Sequence, residues 1–136
     1  MTITLDTINL FVQNMEKTLT FYTFLGFTFS EEDYAKNYVK IDNGSVSLCF
    51  YNLEIVEEYF SHDLIKSNSN HQFELSFRVN DPDEVDAIYD ELINHGYDSF
   101  KKPENSNWHQ RVAFILDPDN NLIEISAFLN VLKKDE

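Results

Sequence analysis

An α+β fold built from two βαβββ modules is predicted for this sequence on three observations. The 136 residues suit one domain with a single hydrophobic core. Segments typical of a strand, a helix and three further strands follow one another twice. The two runs also correspond in their residues, since Val12-Gln13-Asn14, a helix and Gly26-Phe27 are matched by Val79-Asn80-Asp81, a helix and Gly96-Tyr97. We therefore expect a single domain, residues 1–136, made of two related modules.

The first module is expected at about residues 3–52. Its opening strand ends at Val12, and Asn14 is placed to cap the helix that follows, which Gly26 ends. Alternation along the opening strand places Ile8, Leu10 and Val12 on one face and Thr7, Asn9 and Phe11 on the other. Three more strands are predicted at Phe27–Ser30, Asn37–Ile41 and Ser45–Tyr51.

The second module is expected at about residues 72–127. It begins with the strand Phe73–Val79, and Asp81 then caps a helix whose apolar residues recur at helical spacing until Gly96. Three strands are predicted to follow, at Tyr97–Lys101, Arg111–Leu116 and Leu122–Ala127.

The remaining chain is expected to form a connection between the modules and a tail. The connection covers about residues 53–71 and starts with a segment, Leu53–Phe60, that has the composition of a short helix. The tail covers residues 128–136.

The charge balance argues against two classes of partner. Lys and Arg number 10 and Asp and Glu 24, so the net charge is −14 and the summed field repels nucleic acid. No apolar stretch approaches the ~20 residues that span a bilayer. The single cysteine, Cys49, excludes an internal disulfide and fits a reducing compartment. We expect a cytoplasmic protein that binds neither nucleic acid nor membrane.

The order of elements resembles the vicinal oxygen chelate superfamily, which includes glyoxalase I, extradiol dioxygenases and the fosfomycin and bleomycin resistance proteins. The resemblance is carried by the strand Leu5–Val12, by FYTFLGF at Phe21–Phe27, by the strand Glu74–Val79 and by DPDNNLIEI at Asp117–Ile125. It implies curved mixed sheets that enclose a cleft, with helices on their outer faces. It also implies a homodimer whose clefts lie near the subunit interface.

The resemblance further implies where a metal would bind. Metal-dependent members carry His, Gln or Glu ligands on the first, fourth, fifth and eighth strands of the pattern. The corresponding residues here are Thr7, then one of Ser47, Leu48 or Cys49, then Glu74 and Glu124. A threonine hydroxyl is a poor ligand for a divalent transition metal, and catalytic sites need about three good protein ligands. We expect no metal and no other cofactor, and we assign no catalytic residue.

Residues that face the cleft in this family are the expected contacts of a small organic molecule. Aromatic rings beside carboxylates suit a planar or cationic ligand. The alternative for the two glutamates is that Arg78, Lys40 or Arg111 neutralises them. The expected ligand-binding residues are Thr7, Asn9, Phe11, Phe50, Tyr51, Glu74, Trp108 and Glu124.

Three functions stay open at this point. The preferred one is metal-independent binding or sequestration of a small organic ligand, with cationic aromatic compounds among the candidates, as in bleomycin resistance proteins. The second is a metal-dependent lyase or dioxygenase of the same superfamily that uses a non-standard ligand set including Glu74 and Glu124. The third is a regulatory protein that acts through its dimer surface.

Overall fold

Seven strands and three α-helices make up the regular structure in the computed structural model of this chain, which describes residues 2, 5–60 and 73–129. The described residues fall into two compact units, one within residues 1–23 and 27–68 and the other within residues 24–26 and 69–136. In chain order the elements are β1 (Thr7–Val12), α1 (Met15–Thr23), a 3-10 helix (Glu31–Ala35), β2 (Tyr38–Asn43), β3 (Val46–Asn52), α2 (Leu53–Phe60), β4 (Glu74–Arg78), α3 (Pro82–Asn94), β5 (Ser99–Asn105), β6 (Gln110–Leu116) and β7 (Leu122–Phe128).

The first unit contains a three-stranded mixed sheet in the order β1-β3-β2. Strand β1 runs parallel to β3, and β2 runs antiparallel to β3. Asn14 caps α1 as predicted, because its Oδ1 accepts a hydrogen bond of 2.9 Å from the Lys17 amide. One face of the sheet packs on α1, where the rings of Tyr22 and Phe50 lie 4.8 Å apart. The core of this unit therefore lies between α1 and the sheet.

The predicted strand at Phe27–Ser30 is wrong. This segment is not part of the described sheet, and it leads into the 3-10 helix Glu31–Ala35. Two hydrogen bonds of 3.0 Å, from the Ser30 amide to Asp33 Oδ2 and from the Asp33 amide to the Ser30 carbonyl, fix the start of that helix. Because a side chain and a local turn take up these backbone groups, the chain has an alternative to sheet pairing here. The first module is therefore βαββ.

The second unit has the full βαβββ order. Its mixed sheet runs β4-β7-β6-β5, with β4 parallel to β7 and the other neighbours antiparallel. Asp81 precedes α3, and its amide donates a hydrogen bond of 3.0 Å to Glu84 Oε1. Shortly after the end of α3, Gly96 adopts a φ of 92°. The apolar stripe of α3 and the side chains of β7 that alternate towards it are buried: Val85, Tyr89, Leu92, Ile123, Ile125 and Ala127. The α+β class with two mixed sheets is confirmed.

The DPDNN part of the signature has a structural explanation in the turn between β6 and β7. Asp117 is 3% exposed and accepts hydrogen bonds from the amides of Asp119 (2.9 Å) and Asn121 (2.8 Å) and from Asn121 Nδ2 (2.9 Å). Asn120 adopts a φ of 65°, which asparagine tolerates better than most residues.

None of the described helices is long and apolar enough to cross a membrane.

Candidate functional site

The second sheet has one face turned to α3 and one face turned away, and both predicted glutamates lie on the latter. Ser76 of β4 is paired with Glu124 of β7, and Glu74 is two residues before Ser76, so their side chains share one face. We refer to this as the acid-pair face. It comprises Glu74, Ser76 and Arg78 of β4, Leu122, Glu124, Ser126 and Phe128 of β7, and Gln110, Val112, Phe114 and Leu116 of β6.

Glu74 and Glu124 meet each other on this face. Ser76 Oγ donates a hydrogen bond of 2.5 Å to Glu124 Oε1. Burial raises the pKa of Glu74 above its ordinary value, and the negative charge of Glu124 and a hydrogen bond between the two side chains raise that pKa further. Two acidic groups are therefore held side by side, and adjacent carboxylates repel when both are ionised.

None of the three basic residues that could have neutralised the pair forms an ion pair with it among the described contacts. Arg111 lies on the α3 side, where it donates two hydrogen bonds of 2.8 Å to Asp86. Lys40 belongs to the first unit and its Nζ is 3.7 Å from Asp42 Oδ1. The Arg78 guanidinium lies 5.0 Å from the centre of the Phe128 ring. The described hydrogen bonds of the acid pair therefore come from Ser76 and from within the pair.

On the first sheet, the face turned away from α1 carries most of the other predicted residues. The register pairs Thr7 with Ser47, Asn9 with Cys49, and Phe11 with Tyr51, so these six side chains share one face. The register also bears on the position that the sequence left open on β3. Ser47 is the residue beside Thr7, and Leu48 lies on the other face and is 8% exposed.

Phe50 does not belong to this face, which corrects its assignment as a ligand contact. It is fully buried and packs on Tyr22 of α1. The reason is the two-residue period of a strand, because Phe50 and Tyr51 are adjacent and must point to opposite sides of β3. We therefore remove Phe50 from the candidate site and keep Tyr51.

Tyr38 and Tyr51 lie close to the buried Cys49 on the same face of the first sheet. The Tyr38 hydroxyl lies 3.5 Å from Cys49 Sγ, and the rings of Tyr38 and Tyr51 are 4.7 Å apart. The hydrogen bond with Cys49, together with burial, raises the pKa of Tyr38 to about 12. Tyr38 is therefore a neutral hydroxyl at physiological pH.

Trp108 lies at an exposed turn between β5 and β6. It is 60% exposed, and its Nε1 donates to Gln110 Oε1 at 3.2 Å. The turn is closed by a hydrogen bond of 2.7 Å from the Ser106 amide to the Gln110 carbonyl, with His109 at a φ of 63°. Since Gln110 is on the acid-pair face, the turn brings Trp108 to one end of that face.

Comparison with known proteins agrees with this architecture. A family model described as the Glyoxalase/Bleomycin resistance protein/Dioxygenase superfamily matches residues 4–125. The chain belongs to this superfamily. The Bacillus subtilis (strain 168) protein YraH, which is uncharacterized, is 32% identical to it over 126 residues, and the match covers 90% of this chain and 96% of YraH.

Solved structures of the superfamily share the fold. An enzyme described as a member of the superfamily from Burkholderia phytofirmans PsJN is 24% identical, with a TM-score of 0.78 and coverage of 93% of this chain and 100% of the other. The hypothetical protein SA1046 from S. aureus is 21% identical, with a TM-score of 0.75 and coverage of 93% and 94%. At these identities the likeness concerns the fold.

The metal site of the superfamily does not fit the residues present here. The two positions on the first sheet are Thr7 and Ser47, whose neutral hydroxyls are weak ligands for transition metals, and Ser47 Oγ already donates to Asp42 Oδ1 at 2.9 Å. On the second sheet the positions are the two carboxyl groups of Glu74 and Glu124, and Glu124 Oε1 already accepts a hydrogen bond from Ser76 Oγ. Among the described residues, no group of three or more His, Cys, Asp or Glu side chains is placed to hold an ion.

Two residues that contact the candidate site residues were not predicted from the sequence. Ser76 is the donor to Glu124, and the alternation Glu74, Ser76, Arg78 along one strand was a signal that could have identified it. Tyr38 beside Cys49 was not foreseen, because it depends on the pairing of β2 with β3.

Proposed function

We propose that this superfamily member is a metal-independent binding protein that takes a small organic cation, with planar aromatic cations as the leading class, at Glu74 and Glu124. The observation that carries the proposal is the placement of both carboxyl groups on the acid-pair face, where Ser76 lies between them in sequence register and donates a hydrogen bond to Glu124. Trp108 is a further proposed ligand contact of the same unit. Thr7, Asn9, Phe11 and Tyr51, which share one face of the first sheet, are proposed separately as ligand contacts.

The physical reason is that two adjacent carboxyl groups need a positive charge. Without a ligand the two groups repel each other, and this repulsion adds to burial, the first cause, in raising the pKa of Glu74. A cationic ligand supplies the missing positive charge and also offers apolar surface to aromatic side chains. Binding of a cation therefore relieves the repulsion between the two groups.

Isothermal titration calorimetry with 9-aminoacridine tests the proposal, since this molecule is a planar aromatic cation. Acridine, which is neutral at neutral pH, is the matched ligand control. We expect binding of 9-aminoacridine that Glu74→Gln and Glu124→Gln each weaken about tenfold or more, because each removes one charge-assisted contact. Glu104→Gln removes an acid of the same sheet that is paired with Lys101, and it should leave binding unchanged.

Equal affinity of the wild-type protein for acridine and 9-aminoacridine, or binding that survives both Gln substitutions, would overturn the proposal. Elemental analysis of protein purified without a chelator tests the alternative. Stoichiometric zinc, nickel, manganese or iron that is lost in Glu74→Gln or Glu124→Gln would instead favour a metal-dependent lyase or dioxygenase.

Two further parts of the proposal concern assembly and location. We propose a homodimer, as in the relatives that the sequence resembles, and a cytoplasmic protein, since the one cysteine is free and buried. Sedimentation equilibrium gives the mass of the assembly, and a particle of one chain mass, about 16.0 kDa, would contradict the dimer.

A further inference from the structure

Among the described residues Arg78, like Lys17 and Lys102, forms no ion pair, but it is Arg78 that contacts an aromatic ring. The protein has 24 acidic residues and 10 basic ones, so carboxylate partners are abundant. Lys36, Lys40, Lys101 and Arg111 each have an acidic partner within 4.0 Å. Arg78, in contrast, has no acidic partner among the described residues, and its recorded contact is the Phe128 ring.

The contact of Arg78 with Phe128 is not a hydrogen bond. Its Cζ lies 5.0 Å from the ring centre of Phe128, a distance typical of a cation–π contact. The N–H groups of a guanidinium lie in its plane and match a carboxylate in a bidentate arrangement. Phe128 therefore holds the side chain in place without consuming its hydrogen bonds.

Two more side chains extend this arrangement along the end of the acid-pair face. Phe128 of β7 is paired with Gln110 of β6, and the Trp108 indole donates to the Gln110 side chain. Phe128 and Trp108 are 54% and 60% exposed, so both rings present apolar surface beside a cation. We call Arg78, Phe128, Gln110 and Trp108 the Arg78 cluster.

We propose that the Arg78 cluster is an anion-binding subsite that takes the carboxylate of an aromatic ligand. The guanidinium binds the carboxylate, and the rings of Phe128 and Trp108 contact the aromatic part. Along β4, Arg78 is four residues from Glu74, or about 13 Å between Cα atoms. Glu124 is nearer, because it is paired with Ser76, two residues from Arg78. The subsite goes beyond the proposed cation site and is tested without it.

The two sites together narrow the class of ligand. A molecule that contacts both carries a cationic group at one end and a carboxylate at the other, with planar or apolar material between them. This last step alone rests on the proposed function. The subsite itself is tested with an anion that has no cationic group.

The experiment follows 2-naphthoate binding by amide chemical shifts, with 2-naphthylmethanol as the neutral ligand control. We expect 2-naphthoate to shift the amides of Arg78, Gln110 and Phe128 and to bind at least tenfold more tightly than the alcohol. Arg78→Gln should abolish that preference, and Arg78→Lys should retain only part of it, because an ammonium group neither stacks nor binds in a bidentate manner. Lys102→Gln removes one positive charge from the same sheet and should change nothing.

Equal binding of 2-naphthoate and 2-naphthylmethanol, an undiminished preference in Arg78→Gln, or no binding by the wild-type protein would each overturn the subsite. Its failure is distinguishable from failure of the cation site. Binding of 9-aminoacridine depends on Glu74 and Glu124 and should not be weakened by Arg78→Gln, which removes a positive charge, whereas binding of 2-naphthoate should persist in Glu124→Gln.

Discussion

Phe50 and Tyr51 are neighbours on β3, but their side chains lie in different environments. Both are aromatic and both follow the same apolar run, so composition does not distinguish them. The register of β3 buries Phe50 against Tyr22 and turns Tyr51 to the face of Tyr38 and Cys49. One is a core residue and the other is a candidate contact.

Substitution by alanine should separate these roles. Phe50→Ala should lower the free energy of unfolding by about 3–5 kcal/mol, the usual cost of a cavity of this size in a core. Tyr51→Ala is the matched control, and its cost should be clearly smaller because the side chain is only half-buried. Urea denaturation gives both values, and a larger loss for Tyr51→Ala would contradict the assigned register.

The Tyr38 hydroxyl should resist ionisation. Its pKa is raised to about 12, first by the hydrogen bond with Cys49 and then by burial. NMR of tyrosine labelled at Cζ should show Tyr38 titrating above the ordinary value of 10.0, and Cys49→Ala should bring its pKa down. Because the folded-state pKa is raised, the stabilisation is present below pH 10.0 and is lost as the pH rises through about 12.

Titration of Tyr38 at its ordinary value in the wild-type protein, or no change in Cys49→Ala, would contradict the contact. Tyr34→Phe removes another tyrosine of the first unit and should leave the Tyr38 signal where it is.

At the scale of elements, an ion pair ties α3 to β6. Arg111 of β6 donates from Nε and Nη2 to the two carboxylate oxygens of Asp86 on α3, each at 2.8 Å. The guanidinium lowers the pKa of Asp86. Arg111 Nη1 also donates to Asn105 Oδ1 at 3.1 Å, so the same side chain connects β5 to this contact. Because of its bidentate geometry, we expect this ion pair to stabilise the protein more than a typical surface ion pair does.

Asp86→Asn should destabilise the protein by about 1 kcal/mol at neutral pH, the upper end for partly exposed pairs. Since the folded-state pKa of Asp86 is lowered, its ion pair stabilises the protein above pH 3.8, and this stabilisation is lost as the pH falls through the folded-state pKa. The variant and the wild type should therefore converge in acid. Thermal unfolding across pH measures this, with Asp90→Asn on the same helix as the control. A difference that persists unchanged in acid would contradict the account.

Elements with strong local signals were predictable from the sequence, and those decided by competing contacts were not. The α3 segment has a capping residue, a periodic apolar stripe and a terminal glycine, and all three predict the same helix. Phe27–Ser30 has strand-forming residues, but the Ser30 and Asp33 hydrogen bonds direct the following residues into a 3-10 helix. The contact of Glu124 with Ser76 joins residues 48 apart in sequence, and only the pairing of β4 with β7 creates it.

At the scale of the whole molecule, the net charge of −14 should oppose folding by mutual repulsion. Screening at physiological ionic strength acts over about 8 Å, which shortens the range of that repulsion. We therefore expect the melting temperature to rise from very low salt to physiological salt. Scanning calorimetry in sodium chloride and in choline chloride checks this, because screening is common to both salts. A melting temperature that falls in both would contradict the expectation.

The central claim is that Glu74 and Glu124 form a carboxyl pair in place of a metal site. The most direct test is an NMR titration of the two side-chain carboxyl carbons. We predict that Glu74 titrates above 4.5 and that its pKa falls in Glu124→Gln, while Glu104→Gln leaves it unchanged. Titration of Glu74 at its ordinary value, with no effect of Glu124→Gln on it, would contradict the claim.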